Sequence, residues 1–396
     1  MDRPTTRFDK HSRKLLAAFW IFLVVAGLAA LEWSLAPKSG RYVASRAVSG
    51  PGPERRLMLR EWEPNTDYSF SPPPERRLHA GGDVRETYAL STDAQGFIEP
   101  AVRHEKPDLN IVFMGGSTTE CLYVAPENRF PYLAAKNLET ALGLKINGIN
   151  AARAGNNSLH SLLLLAGKVL PLRPDYVVLM EATNDIGSLT YGTYWQQMGS
   201  KRIIDNQKIS VDQAIRILST ALIPYTSDLV SGLRRRLKGE QQRPEGRDDG
   251  PAGPERSRQD MGRDFADALT SFVHLTRAWG SKPVLMTQVH VQPSSSAEQQ
   301  SSFLSREQVN GTLVNPETFA SDQDYFNAII RDVAEKEKVV LIDLARVNDW
   351  KFGDVYDSIH FTDQGSKKVA EIVAAALQTE IASAGSHAGL GTPAPR

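Results

Sequence analysis

The 396 residues carry 46 Lys and Arg against 46 Asp and Glu, a formal net charge of zero, and 41% are apolar. Those proportions exclude a chain disordered throughout, a collagen-like repeat and a polytopic membrane protein, and the neutral balance speaks against a general nucleic-acid binder. A single cysteine excludes an internal disulfide and a cysteine-rich zinc site.

In chain order, the first feature is an unbroken run of apolar or small residues from Leu15 to Leu31, continuing to Ala36 with Glu32, Trp33 and Ser34 intruding. The run 15–36 is long enough, at about 1.5 Å per residue, to cross a hydrocarbon core of about 30 Å as a transmembrane helix. Arg3, Arg7, Lys10, Arg13 and Lys14 outnumber Asp2 and Asp9 before it. That excess predicts a cytoplasmic tail, 1–14, with the rest of the chain on the far side. The competing reading is a cleaved signal peptide ending near Ser34-Leu35-Ala36; it too sends the remaining chain out of the cytoplasm.

Residues 37–85 read as a linker and an extended preamble. Gly50-Pro51-Gly52-Pro53 interrupts the first part, and Pro64 and Pro72-Pro73-Pro74 the second. A strand is expected over 86–92, and the preamble is expected to pack on the main domain. From Asn110 short apolar strands alternate with helices. The strands are Ile111–Met114, Lys145–Asn150, Tyr176–Met180, Pro283–Val289 and Lys338–Ile342. The helices are Phe130–Leu142, Leu159–Leu170, Phe265–Trp279, Phe326–Glu335 and Gln364–Ile381. Strands without alternation, separated by helices, predict an α/β fold with a parallel sheet covered on both faces. Residues 187–260 interrupt the pattern as an insertion. Its stretch 211–237 is amphipathic and ends in Arg234-Arg235-Arg236, whereas 238–258 has almost no apolar residues and is expected to be disordered. Residues 386–396 read as a flexible tail.

Ligands of such sheets bind beyond the strand C-termini, so the loops after Met114, Asn150 and Met180 are where chemistry belongs. The first holds Gly115-Gly116-Ser117-Thr118-Thr119, a serine at a strand-to-helix turn. The second holds Ala154-Gly155-Asn156, and the third Ala182-Thr183-Asn184-Asp185. Near the C-terminus, Asp357 and His360 stand three residues apart in Asp-Ser-Ile-His. A carboxylate at that spacing can accept from one imidazole nitrogen and leave the other to take a proton from a serine. A backbone N–H at Gly155 and the Asn184 amide can supply oxyanion donors. Each signal also has an ordinary reading as a turn former or helix cap.

Taken in order, these blocks resemble the SGNH, or GDSL, hydrolases, whose motifs contribute Ser, Gly, Asn and His, the last preceded at three residues by Asp. The matching residues are Ser117, Gly155, Asn184, Asp357 and His360. The resemblance covers about 86–382, and Tyr88–Phe97 also looks like a segment preceding the serine block in bacterial members. Two departures are present. Gly116 replaces the aspartate of the GDS motif, and Ala182 replaces a glycine common in the third block.

The resemblance implies a three-layer α/β/α, flavodoxin-like, five-stranded parallel sheet in a domain spanning 86–385. It further implies a Ser117–His360–Asp357 triad and an oxyanion hole from the Ser117 and Gly155 N–H groups and Asn184. The activity implied is that of a serine esterase removing acyl groups, O-acetyl in particular, from a carbohydrate or cell-envelope polymer. With the apolar run as anchor, the chain would be a single-pass protein of the bacterial cytoplasmic membrane with its catalytic domain on the periplasmic side. An O-acyltransferase using the same triad, or a non-catalytic envelope-assembly protein keeping the fold, remain alternatives. No cofactor, metal or nucleic-acid partner is expected, and the oligomeric state is left open. Among other residues, Cys121 reads as core and Glu120 as favourable charge at a helix N-terminus. His160 reads as a pocket-lining or surface helix residue, and His290 lies near the expected pocket without an assigned role.

Overall fold

In the computed structural model of the chain, the described residues are 45–48, 59–72, 84–101, 104–190, 192–194, 255–291, 308–309, 312–313 and 316–388, with scattered positions between 19 and 34. The tail 1–14, nearly all of the insertion and the tail 389–396 lie outside them. The chain divides into two units, Met1–Arg41 with Asn206–Arg243, and Tyr42–Asp205 with Pro244–Arg396. In the first, the described positions are helical, and Phe19, Trp20, Leu23, Val25 and Leu31 are exposed. Among the described residues no helix is long and apolar enough to cross a membrane.

The second unit is built on five parallel strands: β4 (Leu109–Gly115), β5 (Ile146–Asn150), β6 (Tyr176–Met180), β7 (Lys282–Met286) and β10 (Val340–Ile342), in the order β10-β7-β6-β4-β5. This is the flavodoxin-like order, which reverses direction between the first and third strands of the sheet and opens a crevice there. Successive side chains leave a strand on opposite faces. Val112, Met114, Val177 and Leu179 therefore enter one core, with Phe265, Phe272 and Phe326. Ile111, Phe113, Val178 and Met180 enter the other, with Phe130, Leu138, Val369 and Val373. Helices supply both covers: α2 (Phe130–Leu142) and α7 (Asp363–Ala388) on one face, α3 (Ser158–Leu164), α5 (Arg258–Ala278) and α6 (Pro316–Glu337) on the other. Two short helices, α1 (Ser117–Glu120) and α4 (Thr183–Leu189), start at the C-terminal ends of β4 and β6.

Several boundaries differ from expectation for local reasons. The helix expected over Leu159–Leu170 stays α-helical only to Leu164, then widens to a π-turn and closes as a 3-10 turn at Leu170–Leu172. Pro171 has no N–H with which to continue it. The strand expected to reach Val289 stops at Met286, because β10 ends beside it; the Thr287 and Gln288 side chains turn instead to Asp343 and Thr183. Arg258, assigned from composition to the disordered stretch, opens α5, whose cap Ser257 Oγ accepts from the Asp260 N–H at 3.1 Å. Arg256 N–H donates to Thr190 O at 2.9 Å, so the two described ends of the insertion meet.

The preamble holds more structure than one strand. β1 (Ser45–Val48), β2 (Thr66–Phe70) and β3 (Tyr88–Ser91) form an antiparallel sheet, and β8 (Gln308–Val309) and β9 (Thr312–Leu313) pair separately as an antiparallel ribbon. Trp62, Phe70, Tyr88, Leu90 and Ile98 bury together with Tyr123 and Tyr356 of the main body. Arg129 fastens this layer down. It is 1% exposed, and its Nη2 donates to Ala89 O at 2.6 Å, Nη1 to Glu99 O at 3.0 Å and Nε to Cys121 O at 3.3 Å. Burial lowers its pKa to about 10, so it stays charged at neutral pH. Arg129→Met should strand these carbonyls without donors and cost about 3 kcal/mol, roughly one per lost bond. A fall of that size in the stability obtained from urea unfolding is expected; an unchanged midpoint would deny Arg129 this role.

Candidate active site

β4 delivers Ser117 to the crevice. Gly116 precedes it as the extended N-cap of α1, and Ser117 is half-buried. Any side chain at position 116 would collide with the Asn184 amide nitrogen and come within 3.2 Å of Asn156 O. The missing aspartate of the serine block thus coincides with a point where three loops converge: those after β4, β5 and β6. Pairing continues past β5 as well, with Ala151 N–H donating to Phe113 O at 2.9 Å and Arg153 N–H to Gly115 O at 3.2 Å. Gly155 holds φ at +75°, a left-handed conformation that glycine adopts without strain. Among the described residues, the backbone N–H groups of Ser117 and Gly155 donate to no protein acceptor.

The histidine arrives from the other end of the chain. Val355 and Phe361 form an antiparallel bridge, and Tyr356 N–H donates to His360 O at 2.9 Å, closing a tight loop. Within it Asp357 Oδ1 accepts from the Ile359 N–H at 3.0 Å and the His360 N–H at 2.8 Å, an Asx-type turn. The same carboxylate accepts from His360 Nδ1, with Oδ2 at 2.7 Å and Oδ1 at 2.9 Å. That partner keeps a proton on Nδ1, so Nε2 is the acceptor for Ser117 Oγ–H at 2.7 Å. The Tyr356 ring stacks on the imidazole, with centroids 5.4 Å apart and planes 4° from parallel. Asp357 and His360 thus serve as turn former and hydrogen-bonded relay together.

Of the five residues anticipated from the sequence, Ser117, His360 and Asp357 are joined by hydrogen bonds, the Asn184 amide lies against Gly116, and Gly155 lies against Arg60 on the loop after β5; others not anticipated hold these turns together. Gln288, buried after β7, donates through Nε2 to Thr118 Oγ1 at 3.0 Å. It accepts through Oε1 from Thr183 N–H and Oγ1–H, each at 2.9 Å. It therefore ties the Ser117 turn to the Asn184 turn. Asp363 does the same across the C-terminal loop, accepting from Ala125 N–H and Asn128 Nδ2, each at 2.8 Å. Neither residue belongs to a motif; only the folded sheet brings the partners together.

Other expectations need correction. Glu120 does stand in the first turn of α1, but it is fully buried; Oε1 accepts from Ala154 N–H at 3.0 Å and pairs with Arg153 at 3.4 Å. Burial raises its pKa, against the pull of Arg153. His160 is not a surface residue: it is buried, and its Nδ1 accepts from the Asn157 N–H at 3.2 Å in a capping box. His290 lies half-buried against Phe319. Cys121 is core, its thiol pushed up to about 12 chiefly by burial. Among the described residues, no group of three His, Cys, Asp or Glu is placed to hold a metal.

Behind Asn184 two carboxylates are buried together. Asp185 Oδ1 accepts from Ser158 N–H at 2.9 Å and from the Tyr194 hydroxyl, while Oδ2 has no partner among the described residues. Burial, opposed by the Tyr194 bond, raises its pKa from 3.8 to about 6. Glu181 accepts from Ser161 Oγ at 2.9 Å and is raised well above the usual range, first by burial and then by the Asp185 charge. Both carboxylates thus hold their protons to higher pH than free ones do. Between pH 3.8 and about 6 the folded chain keeps a proton on Asp185 that the unfolded chain has lost. Folding stability must then fall as pH rises through that window. Asp185→Asn keeps an accepting oxygen and removes the titration, so thermal melts from pH 4 to 7 should show a shallower decline in Tm; equal declines would exclude Asp185 as the source.

No curated protein matches the chain in sequence. Among solved structures, it is similar to the acetylxylan esterase Axe2 of Geobacillus stearothermophilus, at 15% identity over 69% of this chain and 94% of that one, with a TM-score of 0.38. It is similar to the acetyl xylan esterase AlAXEase at 17% identity, over 68% and 100% of the two chains, TM-score 0.38. A third is an α/β hydrolase from the metagenome of Lake Arreo, Spain, at 14% identity over 69% and 94%, TM-score 0.37. Residues 113–368 match the GDSL-like Lipase/Acylhydrolase family, and the span holds Ser117, Gly155, Asn184, Asp357 and His360: the chain belongs to that family and is an ester-hydrolysing serine hydrolase.

Proposed function

We propose that the protein removes small acyl groups, acetyl foremost, from a carbohydrate or cell-envelope polymer, with Ser117, His360 and Asp357 as the catalytic triad. The observation that carries this reading is the hydrogen-bonded line from Ser117 Oγ through His360 to Asp357, each link 2.7 Å. In the first step Ser117 Oγ attacks the ester carbonyl and its proton passes to His360 Nε2. Asp357 stabilises the imidazolium that forms. The carbonyl oxygen becomes an oxyanion received by the Ser117 and Gly155 N–H groups and the Asn184 amide. His360 then gives its proton to the departing alcohol oxygen. In the second step His360 takes a proton from water as its oxygen attacks the acyl-serine, His360 returns that proton to Ser117 Oγ, and the carboxylic acid leaves and gives its own proton to solvent.

Membrane attachment through 15–36, with the catalytic unit outside the cytoplasm, belongs to the same proposal. It rests on the apolar run, the basic residues before it and the exposed apolar side chains at its described helical positions.

A fluorophosphonate probe should label the full chain in detergent at Ser117, and the label should vanish in Ser117→Ala and His360→Ala. Acetyl-ester hydrolysis should fall by about 10³-fold or more in either variant and by about 10²–10³-fold in Asn184→Ala. Folded protein that takes no label would overturn the triad assignment.

A further inference from the structure

Arg60 reaches from the chain before β2 onto the loop after β5. A Cβ on Gly155 would stand 3.0 Å from Arg60 Nη2 and 3.3 Å from Nη1, so the guanidinium lies against this glycine on the side where a side chain would project. It is held there at both ends. Nη1 donates to Asn156 Oδ1 at 3.0 Å, and Asn156 Nδ2 donates back to Arg60 O at 3.3 Å. That bond uses one of the five N–H donors of the fork.

The charge around Arg60 is unbalanced. The neighbouring cation, Arg153, has its own partners, pairing with Glu120 and lying 3.5 Å over the Trp62 ring. Arg60 makes no ion pair among the described residues. Glu120 and Glu181 act on it only at longer range, and both are buried and shifted toward their protonated forms by that burial. Burial first, and Arg153 second, lower the Arg60 pKa to about 10, which leaves it charged at neutral pH. A half-buried guanidinium that has no counter-ion among the described residues is costly, and a brace for Asn156 needs only one neutral donor. What the arrangement suits is an arriving anion, which a guanidinium binds through two parallel N–H bonds.

Resting on the assignment of Ser117 as nucleophile, we propose that Arg60 binds a carboxylate on the alcohol part of the substrate, so that the preferred ester is an acylated acidic carbohydrate of the uronic-acid class. The oxyanion has other donors in the Ser117 and Gly155 N–H groups and Asn184. Arg60 therefore selects the substrate, and its effect belongs in KM for the charged ester.

The test compares kcat/KM for acetate release from an O-acetylated galacturonate oligosaccharide with that from an O-acetylated xylo-oligosaccharide, using the full chain in detergent. The wild type should favour the anionic ester by about tenfold at low salt, the worth of one charge-assisted contact. About 0.5 M salt should reduce that preference. Arg60→Gln should bring the ratio near one, mainly through KM, and Arg60→Lys should give an intermediate ratio. A wild-type ratio near one, or an unchanged ratio in Arg60→Gln, overturns the proposal. An effect of Arg60→Gln on kcat alone, equal for both esters, also overturns it and moves Arg60 to the oxyanion. Fluorophosphonate labelling of each variant separates the two readings: wild type that does not label refutes the nucleophile, whereas wild type that labels but shows no preference refutes only the role of Arg60. If Arg60→Gln itself does not label, Arg60→Lys decides, since a single-point ammonium must lower the ratio if the fork binds a carboxylate.

Discussion

The 2.7 Å contact between Ser117 Oγ and His360 Nε2 joins residues 243 positions apart, and much of the second unit serves to keep it. Ser117 is fixed by strand pairing on both sides of β4 and by the absence of a side chain at Gly116. His360 is fixed by the Asp357 turn and by the Tyr356 ring. Neither fixation alone sets the distance between them. That is set by Asp363, which opens α7 and grips Ala125 and Asn128 a few residues beyond the serine, and by burial of α7 against α2 in one continuous core. A contact this long in sequence carries a loop-closure cost before it returns anything, so it must be the product of the folded sheet.

The electrostatics behind the site follow from burying carboxylates where the loops after β4, β5 and β6 converge. Glu120, Glu181 and Asp185 are each no more than 2% exposed, and each is raised in pKa chiefly by that burial. Bonds from backbone N–H groups and from Ser161 and Tyr194 satisfy part of their demand. The result is a cluster of acids that carries less negative charge than its residue count suggests, facing Arg60 and Arg153.

Elements whose signal is local were legible before the structure. Phe130–Leu142 and Tyr176–Met180 have the boundaries expected from spacing and from a run of apolar residues. The hydrogen-bonded line of Ser117, His360 and Asp357 was legible because each lies in a short block, and the blocks that also hold Gly155 and Asn184 follow the order of the sheet. What was not legible depends on long-range contact. Glu120 looks like any acid in a first helical turn until the loop after β5 closes over it. Gln288 has no motif at all, and its role exists only because β7 ends next to β6. Arg60 lies in a stretch whose composition, Leu-Arg-Glu-Trp-Glu-Pro, gives no sign of which strand end it will reach.

The preamble shows why the site cannot be equated with its motif blocks. Trp62 supplies the face on which Arg153 lies. Tyr88 packs on Tyr123, Tyr123 on Tyr356, and Tyr356 on the imidazole, at centroid distances of 5.8, 5.7 and 5.4 Å. An aromatic column thus runs from β3 of the antiparallel sheet to the His360 ring. Arg129 closes the circuit, since its donors join Ala89 and Glu99 of the preamble to Cys121, four residues past the serine. The preamble therefore reaches the crevice from both sides, touching the loop that carries Gly155 and the loop that carries His360. Because imidazole orientation decides whether Nε2 meets the Ser117 hydroxyl, the antiparallel sheet helps set the geometry of the proposed triad, whose residues all lie outside it.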